Sequence, residues 1–515
     1  MKIILKYTFI FFLTISFSAQ EIENIFGDKT EIYFSFDYDK KKQIDKISKI
    51  ISIDHKSNRL KIYAYANKKE FLEFLKFNID YQLIEEPLFK PNTSSTRSNW
   101  DYYPSYNEYV SLMQSFADSF PSICKLHNLG TLNSGHEMLI VQISNNVGVP
   151  ENEPSFLYTS SMHGNELTGY VLMLRLIDEI LNGYGSNSKY TNLVNEVDMW
   201  INPLANPDGA YAVNDNSVSG ATRYNANSVD LNRNYPDILD GPNPDGNPWQ
   251  DETVMFINLA DSVRFNLACN LHTGAEVFNY PWDRWSNLTA DDDWWQHVSA
   301  QYADTAHVNS NNGYFNDLNN GITNGWDWYE INGGRQDFMN YFKFCREATL
   351  ELSSNKIPPG SQLPYYWNAN SPSLINYIEQ STYGLRGVIT DSITGNPLEA
   401  KVEIIGHDVD SSHVYSDLPV GNYHRYLVQG NYQVTFSKNG YKSKTIDVAV
   451  NNNVATTLDV QLSNQNNPVG IEFQENPKTI VNSWDILGRS VLNKKNTIII
   501  NTHSDGSVEK KIIIE

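Results

Sequence analysis

The sequence predicts an α/β domain built on a mixed, mostly parallel sheet flanked by helices, followed by a small all-β sandwich. Between residues 98 and 380, short apolar runs of strand formers alternate with amphipathic helical stretches. From Tyr383 to about Leu462 the helical pattern stops. Short strands there are divided by turn signals such as Asp391-Ser-Ile-Thr-Gly-Asn-Pro397 and Lys438-Asn-Gly440. Two apolar runs of the first region end on a histidine, at the strand ends where open α/β sheets carry their sites.

The chain opens with Lys2 and Lys6, a mostly apolar stretch from Tyr7 to Phe17 and the small pair Ser18-Ala19. Residues 1–19 therefore read as a secretory signal peptide, which places the mature protein outside the cell, secreted or at its surface. Residues 20–97 form a charged α+β unit. Strand alternation marks 31–36 and 60–65, a helix spans 68–77, another strand 79–84, and 91–97 is a polar linker. Its position ahead of a larger domain in an exported protein reads as that of a propeptide or folding aid.

In the larger domain, 105–120 is helical. Buried strands are expected at 137–144, 155–161, 198–202, 265–271 and 348–352. A helix begins at Leu167, with Val171, Leu174, Ile177 and Leu181 on one face. Residues 384–462 make the β-sandwich, 464–468 a linker, and 469–515 a β-rich tail.

Bulk properties bound the function. The 515 residues suffice for three or four domains, and 40% hydrophobic content with 13% aromatics allows large cores. A net charge of −21 argues against nucleic acid as a partner. Beyond the signal, no run reaches the ~20 apolar residues of a membrane span. Three cysteines, Cys124, Cys269 and Cys345, make no disulfide framework. Buried thiols are the expected state, with a Cys269–Cys345 pair as the alternative.

The chemistry is carried by strand ends. The 155–161 run leads to His163, and Glu166 follows just before the helix; the 265–271 run leads to His272. Two histidines and a carboxylate, with a fourth position left for water, form a catalytic zinc pattern, so one zinc ion per chain is expected. Zinc of this kind serves hydrolysis. A hydrolase also needs a base, and Glu351, at the end of the 348–352 strand, fits that need.

Residues 98–380 resemble the zinc metallocarboxypeptidases, especially the branch of carboxypeptidases D, E, M and N. The motifs that carry the resemblance are His163-Gly-Asn-Glu166, Asp230-Leu-Asn-Arg-Asn-Tyr-Pro236, Asn270-Leu-His272, Asn279-Tyr-Pro-Trp-Asp283, Gly333-Gly-Arg-Gln-Asp337 and Thr349-Leu-Glu351, in the family's order. The resemblance implies that His163, Glu166 and His272 hold zinc and that Glu351 is the general base and acid. It implies that Arg223 stabilises the oxyanion and that Asn232 and Arg233 clamp the substrate's free carboxylate, a task suited to the planar guanidinium. Tyr329 takes the place of the tyrosine that closes over the substrate. Asp230 takes that of the carboxylate that orients a zinc histidine.

Asp283, with Gln336 nearby, occupies the position that faces a C-terminal Arg or Lys in the basic-specific branch. Release of C-terminal Lys or Arg is therefore expected. Thr273, where glycine is usual, and Arg284 and Arg335, cations close in sequence to the pocket residues, depart from that branch. Residues 384–462 resemble its transthyretin-like domain, with His407, His413 and His424 scattered and no metal site expected. The tail resembles the sorting domain of type IX secretion substrates, which implies that secretion machinery as a partner. The other partners expected are peptide or protein C-termini, and the protein itself is expected to be a monomer. Two further readings stand beside this one: a zinc amidase of the same fold acting on a γ-glutamyl or branched amide, and an inactive peptide-binding module. Arg223, Asn232, Arg233 and Tyr329 favour an α-carboxylate substrate over the first, and the intact ligand set with Glu351 argues against the second.

Overall fold

The computed structural model describes residues 19–37, 44, 46–54, 61–84, 100–311, 313–465, 479–491, 498–504 and 506–512. The expected signal peptide, apart from its last residue, and the linker at 91–97 lie outside these.

The N-terminal unit is a four-stranded antiparallel sheet of β1 (Glu31–Asp37), β2 (Ser52–Ile53), β3 (Lys61–Asn67) and β4 (Tyr81–Leu83), in the order β2-β3-β1-β4. A helix at Lys68–Leu75 follows β3 directly. It starts there because Asn67 and Glu70 form a reciprocal capping box, which satisfies two backbone N–H groups that a helix start leaves open. Phe34, Phe36, Phe71 and Phe74 fill the space between sheet and helix.

The larger domain carries an eight-stranded mixed sheet of β5 (Cys124–Thr131), β6 (Glu137–Ile143), β7 (Ser155–Ser160), β8 (Asp198–Asn202), β9 (Leu267–His272), β10 (Glu276–Tyr280), β11 (Ile322–Asn324) and β12 (Arg346–Leu352). The spatial order is β11-β10-β12-β9-β7-β8-β6-β5. The central strands β12, β9, β7 and β8 pair in parallel. Helices Thr168–Gly183, Asp292–Val308 and Leu363–Gln380 build the core on one face. Helices Asp251–Val263 and Arg335–Lys343 build it on the other, through Phe256, Leu259, Phe338 and Met339. With both faces covered, central strands read as near-continuous apolar runs. The strand expected at 265–271 runs from Leu267 to His272, because Asn266 is used as a connector: its side chain accepts from Ser155 N and its carbonyl from Arg346 N.

The sandwich packs two small sheets over Leu385, Ile389, Val402, Tyr423, Val434 and Phe436. It is fixed to the larger domain by Asp291, which meets Arg346 at 2.8 Å, Arg425 at 2.7 Å and His407 Nε2 at 3.0 Å. His407 is thus not isolated. It lies with Asp291 and Asp408 in a cluster whose ligand atoms are close enough for a metal, but two guanidinium groups already neutralise the carboxylates. The three cysteines are free and buried. Among the described residues no helix is long and apolar enough to cross a membrane.

Candidate active site

Three neighbouring parallel strands bring the sequence-predicted residues together. His272 is the last residue of β9, Glu351 lies beside it in register on β12, and His163 follows the end of β7 by three residues. The turn after β7 is tight. Ser161 adopts φ 60°, its Oγ donates to the Glu166 carbonyl at 2.8 Å, and its N–H donates to the Leu271 carbonyl. Gly164 is required, since a Cβ there would stand 2.3 Å from the backbone of Gly209.

His163 Nδ1, His272 Nδ1 and Glu166 Oε2 converge. The two nitrogens are 3.1 Å apart, and the carboxylate oxygen lies 3.0 Å from the first and 2.8 Å from the second. All three side chains are buried. The Nε2 of His163 lies 3.0 Å from Asp230 Oδ1, which leaves Nδ1 as its lone-pair nitrogen. Two imidazole nitrogens and a carboxylate facing one point fit the donor set of zinc. Burial opposes the charge on Glu166, but the neighbouring His163 and Lys356 hold its carboxyl well below the usual range. Asp230 is likewise held low against burial, by Arg223 and His163.

Arg223 donates from Nε to Asp230 at 3.1 Å and from Nη1 to Glu166 Oε1 at 3.1 Å. Asn232 and Arg233 lie on a short turn (Leu231–Arg233) fixed by Asp230 Oδ1, which accepts from Asn232 N at 2.9 Å. Arg233 Nη1 donates to the Asn232 carbonyl, while its buried Nη2 has no hydrogen-bond partner among the described residues. A narrow cleft is lined by Asn232, His272, Asp283, Tyr329 and Glu351, among others, with free volume of about 10 Å³, the space of about one water. Burial, reinforced by Glu166, pushes the Glu351 carboxyl up to about 8.

Asp283 stands in this cleft, where its Oδ1 accepts from Asn279 Nδ2 at 3.0 Å and from Gln336 Nε2 at 3.1 Å. Gly325 makes room, since a Cβ there would meet Asp283 Oδ1 at 1.9 Å. Burial pushes Asp283 up to about 6, against the Asn279 hydrogen bond and the Arg233 charge. The two cations that departed from the basic-specific pattern are engaged elsewhere. Arg284 meets Asp237 at 3.2 Å, Asp240 at 3.0 Å and also Glu330. Arg335 meets Glu347 at 3.1 Å and Thr159 Oγ1 at 2.7 Å.

Sequence reasoning missed several residues. Asp337 accepts from the backbone N–H groups of Asp283 and Arg284, and so shapes the pocket. Lys356 Nζ lies 2.5 Å from Glu166 Oε1; nothing in its loop sequence marks it. The N-terminal unit also reaches the site. Glu31 accepts from Arg223 N at 2.7 Å and Tyr224 N at 3.0 Å, and Ser52 Oγ donates to Asp230. The Tyr65 ring lies 5.8 Å from the Arg223 guanidinium and 5.2 Å from the Lys356 ammonium, and Tyr329 and Ile331 join the N-terminal unit's own apolar cluster. Contacts of this kind join residues far apart in sequence, and no local pattern signals them.

Residues 109–373 match the family described as zinc carboxypeptidase, and 384–463 the carboxypeptidase regulatory-like domain. Carboxypeptidase D of Mus musculus is 34% identical over 368 residues, covering 68% of this chain and 26% of its own length, so the chain spans about a quarter of that relative. The carboxypeptidase N catalytic chain of Rattus norvegicus is 34% identical over 397 residues, covering 69% of this chain and 85% of its own. The crystal structure of carboxypeptidase A from Helicoverpa armigera shares the fold, with a TM-score of 0.54 and 16% identity, covering 68% of this chain and 97% of that one.

Proposed function

The chain belongs to the zinc carboxypeptidase family, and on that premise we propose that it is a secreted enzyme that removes single residues from peptide and protein C-termini, with preference for Lys or Arg. The observation that carries this reading is the convergence of the His163, Glu166 and His272 donors beside Glu351, in a cleft that also holds Asn232 and Asp283.

His163, Glu166 and His272 would hold zinc, which would supply a water of lowered pKa and polarisation of the scissile carbonyl. Glu351 accepts the water proton and returns it to the leaving amine. Arg223 stabilises the developing oxyanion, a task for a fixed cation. Asn232 and Arg233 hold the terminal carboxylate, for which Arg233 Nη2, without a hydrogen-bond partner among the described residues, is suited. Tyr329 closes over the bound residue, and Asp283 with Gln336 receives its basic side chain. Residues 20–97 act as a propeptide. Their contacts on Arg223, Asp230 and Tyr329 support a cover over the cleft. Residues 384–462 serve as the transthyretin-like domain, and the 469–515 tail as a sorting segment for type IX-like machinery.

The test is a set of peptides differing only in the last residue, incubated with the chain before and after cleavage within 85–99, with products read by mass. Loss of one C-terminal Lys or Arg, faster after cleavage and abolished by a zinc chelator, is the expected result. Mid-chain cleavage refutes the exopeptidase reading, and equal rates before and after refute the propeptide.

Asp283 also sets a pH dependence. Its carboxyl ionises at about 6, and only the ionised form attracts a guanidinium. For a C-terminal arginine substrate, KM should therefore fall as pH rises through about 6. For a neutral C-terminal residue it should not, and parallel pH profiles for the two substrates would remove Asp283 from the pocket.

A further inference from the structure

Glu166 uses its two carboxylate oxygens differently. Oε2 faces the ring nitrogens of His163 and His272, and also lies 3.3 Å from Thr273 N. Oε1 faces two cations, Lys356 Nζ at 2.5 Å and Arg223 Nη1 at 3.1 Å. A carboxylate free to rotate offers a metal one oxygen or both. Charged hydrogen bonds to one oxygen remove that freedom and leave the other as the ligand.

We propose that Lys356 is a positioning residue of the metal centre, whose ammonium fixes the outer oxygen of Glu166 so that the inner one faces the two histidines. The inference rests on the zinc reading above. A second observation supports it independently of the side chain. The Lys356 carbonyl accepts from Leu167 N at 3.0 Å and from Thr273 Oγ1 at 2.9 Å, the residues that follow Glu166 and His272. One loop residue thus ties together both turns that present metal ligands. Burying an ammonium is costly unless a partner compensates, and the Lys356 side chain is only 13% exposed. Its other partners are more distant: Asp54 stands 3.9 Å away, and the Tyr65 ring is a cation–π contact at 5.2 Å. Glu166 is the carboxylate in hydrogen-bond reach, and its charge together with that of Asp54 compensates the burial.

The experiment is a zinc competition titration on the full chain against a chromogenic chelator, with the metal alone as probe. Lys356→Met is expected to weaken zinc binding by about 10–100-fold, the usual cost of removing a group that orients a metal ligand. Lys356→Arg, which keeps the cation, should recover most of the loss, whereas Asp54→Asn should leave zinc affinity near that of the parent. Unchanged affinity in Lys356→Met overturns the proposal. So does an arginine variant no better than the methionine one, or an Asp54→Asn loss as large as that of Lys356→Met, since the effect would then run through the N-terminal unit. Should Lys356→Met fail to fold, Lys356→Gln keeps a donor without the charge. Weaker binding there supports the proposal and parental affinity overturns it. A parent chain that takes up no zinc would instead refute the zinc reading itself, a result distinct from all of these.

Discussion

Glu351→Gln is expected to lower kcat by about 10²–10⁴, the contribution typical of a positioned general acid–base group, with KM and zinc content close to those of the parent. The amide keeps the shape of the carboxylate but cannot take a proton. Glu351 is fully buried, stands in register beside His272 and is not one of the three convergent donors. Its loss should therefore fall on the transition state alone, and not on metal or ground-state binding. The measurement is kcat and KM on a C-terminal arginine peptide, with zinc determined on the same sample and the chain cleaved within 85–99. Turnover within a few-fold of the parent, with zinc retained, would remove Glu351 from the proton transfer.

Asp283→Ala is the second large effect, and it should be selective. A guanidinium or ammonium entering this buried cleft needs an opposite charge. Truncating one partner of such a pair costs about 2–5 kcal/mol, so kcat/KM for C-terminal Arg or Lys should fall roughly 30-fold to a few thousand-fold, mostly through KM. Substrates ending in a neutral residue should lose far less. Asn279 and Gln336 remain to shape the pocket. Arg284→Ala supplies the contrast. Its guanidinium is paired with Asp237, Asp240 and Glu330, so removing it should not sharpen the preference for basic residues. An Asp283→Ala variant that loses arginine and leucine substrates in equal measure would show that the pocket is only disturbed and that the charge does not select.

Much of the architecture was legible because its signals are local. Strands β7 and β9 are buried on both faces, so each reads as a largely apolar run leading to a histidine, and the 348–352 part of buried β12 carries Glu351. Strand β5 was not legible. It is an edge strand whose burial alternates irregularly, with Lys125, His127 and Asn128 in its length. β10, five residues long, lies between two loops with no flanking helix to mark it. At the site, the order of the motifs was enough to name candidate donors that the fold does bring together, and the cleft residues Asn232 and Asp283. The fate of Arg284 and Arg335 was not readable, because the carboxylates that neutralise them come from the 237–240 loop, Glu330 and β12.

The sequence by itself determined the class of fold and pointed to the candidate zinc donors and the candidate base, because each depends on residue type at a strand end or on short-range spacing. Only the tertiary structure decided which cations face the cleft, that Lys356 holds the outer oxygen of Glu166, and that Glu31, Ser52 and Tyr65 sit on Arg223, Asp230 and Lys356. Those facts are contacts between segments as much as 291 positions apart, as from Tyr65 to Lys356. The energy of such a contact depends on distance and burial, quantities that no stretch of sequence carries until the sheets have formed and packed.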